Sequence, residues 1–418
     1  MADIRPFKAY RPTKEKVGRV AALPYDVFSR KEALEYVKEN PGSFLAIDRP
    51  ETQFPEDQDM YAPEVYQKAH DMLHEQMESG VFVQDEEKCY YIYEQTMNGR
   101  TQTGIVACAS IDDYLNGVIK KHENTRADKE EDRIKHVYTC EAQTGPIFLC
   151  YRENKMLSDL ISKVKEVDEP VYDFVSADDV KSRVWIIDDK EETDTISRIF
   201  ATIDAVYIAD GHHRCASAVK VGLKKREENE GKVRGKQEYD YFLSVLFPDN
   251  ELMIMDYNHV VKDLNGLSKE EFFEKLKEKF DIVKENEAVK PAKKAEFGLF
   301  IDDEWFRLTA HSDILKSDAV DGLDVSVLQN EVLSPILGIG DPRTDKRIDF
   351  VGGIRGLKEL EDRCHADMKL AFSMYPTSIS ELFAVADEKR LMPPKSTWFE
   401  PKLLSGYLFT KLMVQLSK

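Results

Sequence analysis

Short apolar blocks dominate the first 260 residues, and most of them predict strands. Val20 to Val27 reads as a short apolar strand that ends in a turn at Pro24. Cys89–Glu94 is rich in aromatics, and Thr103–Ser110 is nearly all apolar or small. Asn98-Gly99 lies between them, and both residues tolerate positive φ, so the two runs predict a hairpin. Pro146–Tyr151, Val184–Ile187 and Val206–Ala209 predict three more strands. Tyr241–Phe247 and Leu252–Asp256 predict a hairpin around Pro248-Asp249-Asn250. Helical spacing interrupts the strands. One helix is predicted over Ser29–Glu39, with Ser29 as its N-cap and Pro41-Gly42 as its stop. A second runs from Ala62 to Met77, with Val65, Ala69, Leu73 and Met77 on one face and Gly80 beyond its end. A third spans Cys215–Val221, and Arg226–Gln237 follows as a charged linker.

The texture changes near Ser268. Glu270–Phe280 is amphipathic, and a Lys- and Glu-rich stretch continues to Glu296. Strands are predicted at Phe297–Ile301 and Trp305–Leu308, and helices at Val325–Leu333, Gly356–Leu360 and Ser380–Asp387. The boundary falls near residue 260. That predicts a first domain over 1–260 and a second, α/β, over 261–418. The class is α/β in the broad sense, an α+β mixture.

Composition narrows the function classes. With 42% hydrophobic and 33% charged residues, the chain is a globular protein rather than a disordered one. The 78 acidic against 59 basic residues leave a net charge of −19, which repels nucleic acid and anionic lipid at long range. No run reaches the roughly 18 apolar residues that span a bilayer, and the first residues form no secretory signal, so a cytoplasmic location is expected. Six scattered cysteines without a C-x-x-C pair are expected to be reduced, mostly buried thiols, and no metal cluster is assigned.

Four segments carry chemistry-bearing side chains. The strongest is Asp210-Gly211-His212-His213-Arg214, set between a strand and a helix. A helix N-terminus presents unpaired N–H groups and the positive end of the dipole, which suits a phosphate. Gly211 permits the turn, Arg214 offers a bidentate contact, and Asp210 can orient a hydroxyl or hold a cation. The bland alternative is a capped helix with surface histidines. The second segment is Lys120 to Arg126, with Asp132 and Arg133 beyond it. Glu123 beside His122 is a candidate general base, and Lys121, Arg126 and Arg133 are candidate phosphate contacts. A solvated, salt-bridged helix start fits the same residues. Asp341–Gly353 lacks the spacing of a phosphate loop and reads equally as a structural turn, and Met392–Pro401 reads as a segment packed on the core.

At the Asp-Gly-His-His-Arg box the chain resembles the ParB/sulfiredoxin-like superfamily. Over Val20–Val27, Lys121–Arg126, Ala209–Arg214, Asp341–Gly353 and Pro393–Pro401 it resembles a large family of bacterial and archaeal proteins often labelled ParB-like. Within the superfamily the chain is similar to free-serine kinases, which phosphorylate L-serine with ATP or ADP and Mg²⁺. That resemblance implies a ParB/sulfiredoxin-like catalytic core in 1–260, with Glu123 taking the serine proton and Asp210 orienting the hydroxyl or the metal. It implies that Gly211, His212, His213 and Arg214, with Lys121 and Arg126, hold the nucleotide. The gap between Glu123 and Asp210 is long for that family, so an insertion separates the two segments. The expectation is an ATP- or ADP-dependent kinase for free L-serine that acts on small molecules rather than nucleic acid or membranes. A ParB-like nucleotide-binding regulator, or a nucleotide sensor without turnover, is the alternative.

Overall fold

The computed structural model describes residues 1–412 of the chain. The fold is mixed α and β, and the chain divides into two compact units. One comprises, among the described residues, 1–120, 125–252 and 401–412; the other comprises 121–124 and 253–400.

The first unit is organised by a nine-stranded sheet. Its strands are β1 (Ile4–Arg5), β2 (Tyr90–Met97), β3 (Arg100–Ser110), β4 (Ile119–Lys120), β5 (Ile147–Tyr151), β6 (Tyr172–Val175), β7 (Lys181–Ile187), β8 (Val206–Asp210) and β9 (Tyr241–Pro248). Their order is β4-β8-β5-β9-β3-β2-β7-β6, with β1 also paired to β3. The β4/β8 and β5/β9 pairs are parallel, and the other pairs are antiparallel. The β2–β3 hairpin turns at Asn98 and Gly99, whose φ values of 52° and 78° are the left-handed pair this turn requires.

Alternate side chains build the core against the sheet. Tyr90 and Ile92, Ile105 and Ala107, Ile147 and Leu149, and Val206 and Ile208 are buried there in the period-2 pattern. In chain order the main helices of this unit are α1 (Arg30–Glu39), α2 (Pro63–Glu78), α3 (Ala127–Cys140), α4 (Lys155–Val167), α5 (Lys190–Phe200) and α6 (His212–Glu228). Leu157, Ile196, Phe200, Cys215 and Val219 bring α4, α5 and α6 onto that core. Each such large side chain contributes roughly 1.5–3 kcal/mol by leaving water.

A second cluster joins α1 and α2 to Phe44, Phe82 and Phe409. The Phe82 and Phe409 rings meet edge to face at 5.0 Å. Phe409 and Tyr10 exchange backbone hydrogen bonds of 2.9 Å, and Thr410–Lys411 pairs with Ala142–Gln143. The last described residues are therefore woven into this unit.

Three expectations are corrected here. Val20–Val27 is not a strand: Val17–Val20 is a helical turn, Tyr25–Val27 is a 3-10 turn, and Ala22 makes one bridge with Ser405. Pro24 has no N–H to extend that bridge into a ladder. The hairpin around Pro248–Asn250 does not form. Both edges of β9 are taken by β5 and β3, so a returning strand has nothing to pair with, and Ile254–Met255 pairs with Trp398–Phe399 instead. The helix after the box begins at His212 and runs to Glu228, into the expected linker. Arg226 holds that end by donating to both Asp112 and Asp240.

The second unit has a six-stranded antiparallel sheet. Its strands are β10 (Tyr257–Val261), β11 (Phe280–Glu285), β12 (Glu296–Ile301), β13 (Glu304–Ala310), β14 (Ile348–Gly352) and β15 (Leu370–Ser373), in the order β11-β13-β12-β15-β10-β14. Its helices include α7 (Lys269–Lys277), α8 (Gly356–Ala366) and α9 (Ile379–Asp387). Ser268 and Ser378 each close a capping box, with Glu271 and Glu381 respectively. The apolar core places Val260, Phe300, Val351 and Ala371 around Leu360 of α8.

The six cysteines are free thiols; five are buried and Cys364 is half-buried. No helix among the described residues is long and apolar enough to cross a membrane.

His259 of β10 is 1% exposed and meets the Phe350 ring edge-on at 4.9 Å. Burial pushes its imidazole down to about 4. The unfolded chain therefore binds the extra proton first. The contribution of neutral His259 is full above the ordinary histidine value of about 6.5 and is lost as pH falls toward 4. The loss amounts to roughly 3 kcal/mol. Urea titrations across that range are expected to show a steeper fall in stability for the wild type than for His259→Gln. Parallel curves would contradict this.

Candidate functional site

The Asp-Gly-His-His-Arg box occupies the end of β8 and the start of α6. Val206 and Ile208 anchor β8 in the core, and the register with β5 slips between Ile208 and Asp210. The slip places Asp210 at the sheet's end, where the ladder stops. Gly211 follows with φ 89°, a left-handed conformation that disfavours any side chain. It also lies under the Arg214 guanidinium: a Cβ there would come 3.1 Å from Nε and 3.3 Å from Nη2.

Asp210 is the electrostatic centre. Its Oδ1 accepts the Gly211 N–H at 2.8 Å, and its Oδ2 takes Lys402 Nζ at 3.2 Å, with Arg214 Nη2 at 3.9 Å. Burial alone would raise its carboxyl. Lys402, Arg214 and the Gly211 amide outweigh that and hold it well below the usual carboxylate range. Arg214 donates through Nη1 to the Pro146 carbonyl at 2.6 Å, while its buried Nε has no hydrogen-bond partner among the described residues. Desolvation alone would lower the guanidinium's pKa, but Asp26, Asp210, Tyr25 and Asp48 together hold it above its ordinary value.

The two histidines differ. His212 is buried within the first turn of α6. His213 Nε2 accepts the backbone N–H of Arg126 at 2.9 Å, so the neutral ring carries its proton on Nδ1. Arg126 stands at the N-cap of α3, and its guanidinium turns outward onto Asp128 at 2.9 Å. Its amide, rather than its charge, reaches the box. Helices α3 and α6 are pinned by Glu130, which accepts Thr125 Oγ1 at 2.7 Å, pairs with Lys220, and receives Ser217 Oγ on its carbonyl at 3.0 Å.

Arg214 also lines a cavity of about 30 Å³, together among others with Tyr25, Asp48, Arg133, Thr144 and Ser405. Arg133 is ion-paired with Asp132 at 2.9 Å and stacks on the Tyr25 ring at 4.1 Å. Tyr66 donates to Asp132 at 2.9 Å, and Thr144 donates to Asp48 at 2.8 Å. Arg133 is thus committed to a buried network. The space holds about a water molecule.

Lys121 and Glu123 belong to the second unit with His122. There the His122 carbonyl accepts Met392 N–H at 2.8 Å, and its ring meets Thr397 Oγ1 at 3.4 Å. The charges of Asp341–Gly353 are consumed locally: Arg343 pairs with Asp341, and Arg347 pairs with Asp345 and Asp263. Trp398 lies over Gly352, where a Cβ would come 2.6 Å from the indole. Both segments therefore pack together within the second unit. Lys402 was not expected at all. It lies 192 residues from Asp210, and no local pattern marks it.

Residues 4–326 match the family described as "Protein of unknown function (DUF1015)". The chain belongs to that family. None of the curated proteins matches it. Among solved structures, a free serine kinase in complex with AMP is similar at 14% identity and a TM-score of 0.37, covering 74% of this chain and 91% of that one. SbnI with a C-terminal truncation, from Staphylococcus aureus, is similar at 11% identity and a TM-score of 0.38, covering 72% and 85%. A conserved hypothetical protein from Pyrococcus furiosus is similar at 16% identity and a TM-score of 0.34, covering 74% and 95%.

Gly211→Ala is expected to cost about 1–2 kcal/mol from the left-handed backbone alone, with more from displacing Arg214. Urea denaturation measures it. A change within about 0.5 kcal/mol, the range of an ordinary surface substitution, would show that the turn relaxes freely.

Proposed function

We propose that this family member is a small-molecule kinase that transfers a phosphoryl group from ATP or ADP to the hydroxyl of free L-serine. The observation that carries the reading is the convergence at Asp210. There a helix N-terminus, the Gly211 turn, the Arg214 guanidinium and the Lys402 ammonium meet. Phosphoryl transfer asks the protein mainly for positioning and for cations around the phosphates, and this box supplies both.

The residues fit a nucleotide. Backbone amides of the first turn of α6 would hold phosphate oxygens, and Arg214 has a donor to give. They also fit Mg²⁺, which binds through one or two carboxylates together with substrate phosphates; Asp210 would be its protein ligand, and the ion would neutralise charge on the phosphates. Glu123 enters through the resemblance to serine kinases. In the proposed step its carboxylate takes the serine hydroxyl proton as that oxygen bonds to the terminal phosphorus. The bond from phosphorus to the bridging oxygen breaks, and ADP leaves when ATP is the donor, or AMP when ADP is. His212 and His213 would flank the phosphates, and Lys121 and Arg126 are the further contacts that the resemblance assigns.

The test is direct. Purified protein is incubated with Mg²⁺, ATP or ADP, and a pool of amino acids and hydroxy acids, and the products are read by mass spectrometry. O-phosphoserine is expected. Glu123→Gln is expected to lower turnover on the order of 10²–10⁴-fold while leaving nucleotide affinity intact. Nucleotide binding without any phosphorylated product would favour a sensor or a ParB-type regulator. A salt-sensitive shift with duplex DNA would then point to the regulator.

A further inference from the structure

A pair of histidines on α2 stands apart from the Asp210 box. The buried face of that helix is Val65, Tyr66, Ala69 and Leu73. His70 and His74 follow Ala69 and Leu73 by one position each, so they stand at the rim of that face, one helical turn apart. Both are half-buried. Their ring centroids lie 4.1 Å apart, with 31° between the ring planes. Two imidazoles at i and i+4 on one helix face is the spacing by which a helix holds a single zinc ion.

The hydrogen bonds decide which nitrogens face a metal. His70 Nδ1 lies 3.0 Å from Asp71 Oδ1. An ionised carboxylate only accepts, so Nδ1 carries the proton and Nε2 keeps its lone pair. Gln67 Nε2 is 3.2 Å from the same ring nitrogen but donates to Asp71 Oδ1 at the shorter 2.8 Å, which fixes that carboxylate in place. A carboxylate on the far nitrogen orients a metal-binding imidazole and raises its basicity. His74 Nε2 is buried and has no hydrogen-bond partner among the described residues. A buried polar atom left in that state costs free energy, and a metal ion would satisfy it.

The surroundings keep the pair neutral and favour a cation. Burial, Lys411 and His70 together hold the His74 imidazole below its ordinary value, against Glu78 and Glu141. Asp71, Glu78 and Glu141 thus set three carboxylates about the pair, and Glu78 continues its stripe by one more turn. Neutral imidazole selects borderline ions such as Zn²⁺, Ni²⁺ and Cu²⁺ over Mg²⁺ and Ca²⁺, which take oxygen ligands.

We propose that His70 and His74 form a bidentate imidazole site for a borderline divalent transition ion, with water completing the coordination. The site is independent of the reading of the Asp210 box and clamps two successive turns of α2.

The test is calorimetric titration of the tag-free full chain with ZnCl₂ and with MgCl₂. Wild type, His70→Gln and His74→Gln are compared, and thermal melts with and without Zn²⁺ report their folding. The wild type is expected to bind one Zn²⁺ at this site in the micromolar range, without competition from Mg²⁺. Loss of either imidazole is expected to weaken that binding about tenfold or more, at least as much as loss of an outer partner of a metal ligand. Zn²⁺ is expected to raise the melting temperature of the wild type, because it binds the folded chain, and to leave that of the variants unmoved. His70→Gln carries the comparison alone if His74→Gln does not fold. Equal Zn²⁺ affinity in the wild type and His70→Gln, or no Zn²⁺ binding by the wild type, overturns the proposal.

Discussion

The Asp210 carboxylate is the constraint on which the candidate site depends. It ends a buried strand, starts a helix through one glycine, and takes an amide, a lysine and an arginine on its two oxygens. Each partner comes from a separately anchored piece of the fold: the Gly211 turn, the braced 401–412 segment, and the first turn of α6. The arginine is further fixed by the Pro146 carbonyl. Its cationic and amide partners hold that carboxylate well below the usual carboxylate range, so it carries its charge at neutral pH. At that pH it acts as a counter-charge, and a group that must accept a proton in a reaction is better sought elsewhere.

The approach to the box is set by a second constraint, the Glu130 junction between α3 and α6. Glu130 collects Thr125, Lys220 and Ser217, and so fixes how the start of α3 meets the start of α6. The outcome is a backbone amide delivered to His213. That hydrogen bond selects a tautomer, and with it which ring nitrogen can donate. A chain region that reads as a solvated charge run thus does positional work through its backbone, while its arginine faces solvent.

What could be read from the sequence follows the range of the forces involved. The β2–β3 hairpin was legible because Asn98 and Gly99 determine the turn by themselves, and the α1 start was legible because Ser29 and Glu32 close a local capping box. The box after β8 was legible for the same reason. Misreadings arose where pairing partners decide. Val20–Val27 has strand composition but only Ser405 to pair with, and the residues after β9 find both of its edges occupied. Lys402, Asp48 and Tyr25 were invisible as site residues, because their roles exist only through contacts to segments 24 to 192 residues distant. Arg133 was noticed for its charge, but a phosphate role does not follow from that: Asp132 and the Tyr25 ring already hold it.

The net charge of −19 bears on how such a site would select its ligand. A strongly acidic protein repels a polyphosphate at a distance, but at physiological ionic strength that repulsion decays over about 8 Å. Recognition then falls to contacts made after arrival, in a recess where Arg214 and Lys402 are withdrawn from water and screened little by salt. Those contacts gain strength from the same burial that makes them costly to assemble. An extended nucleic acid would have to lay many phosphates against the acidic surface to deliver one to this recess. A free nucleotide delivers its phosphates with little else. On the proposed nucleotide reading, a net charge of −19 suits a small anion better than a polymer.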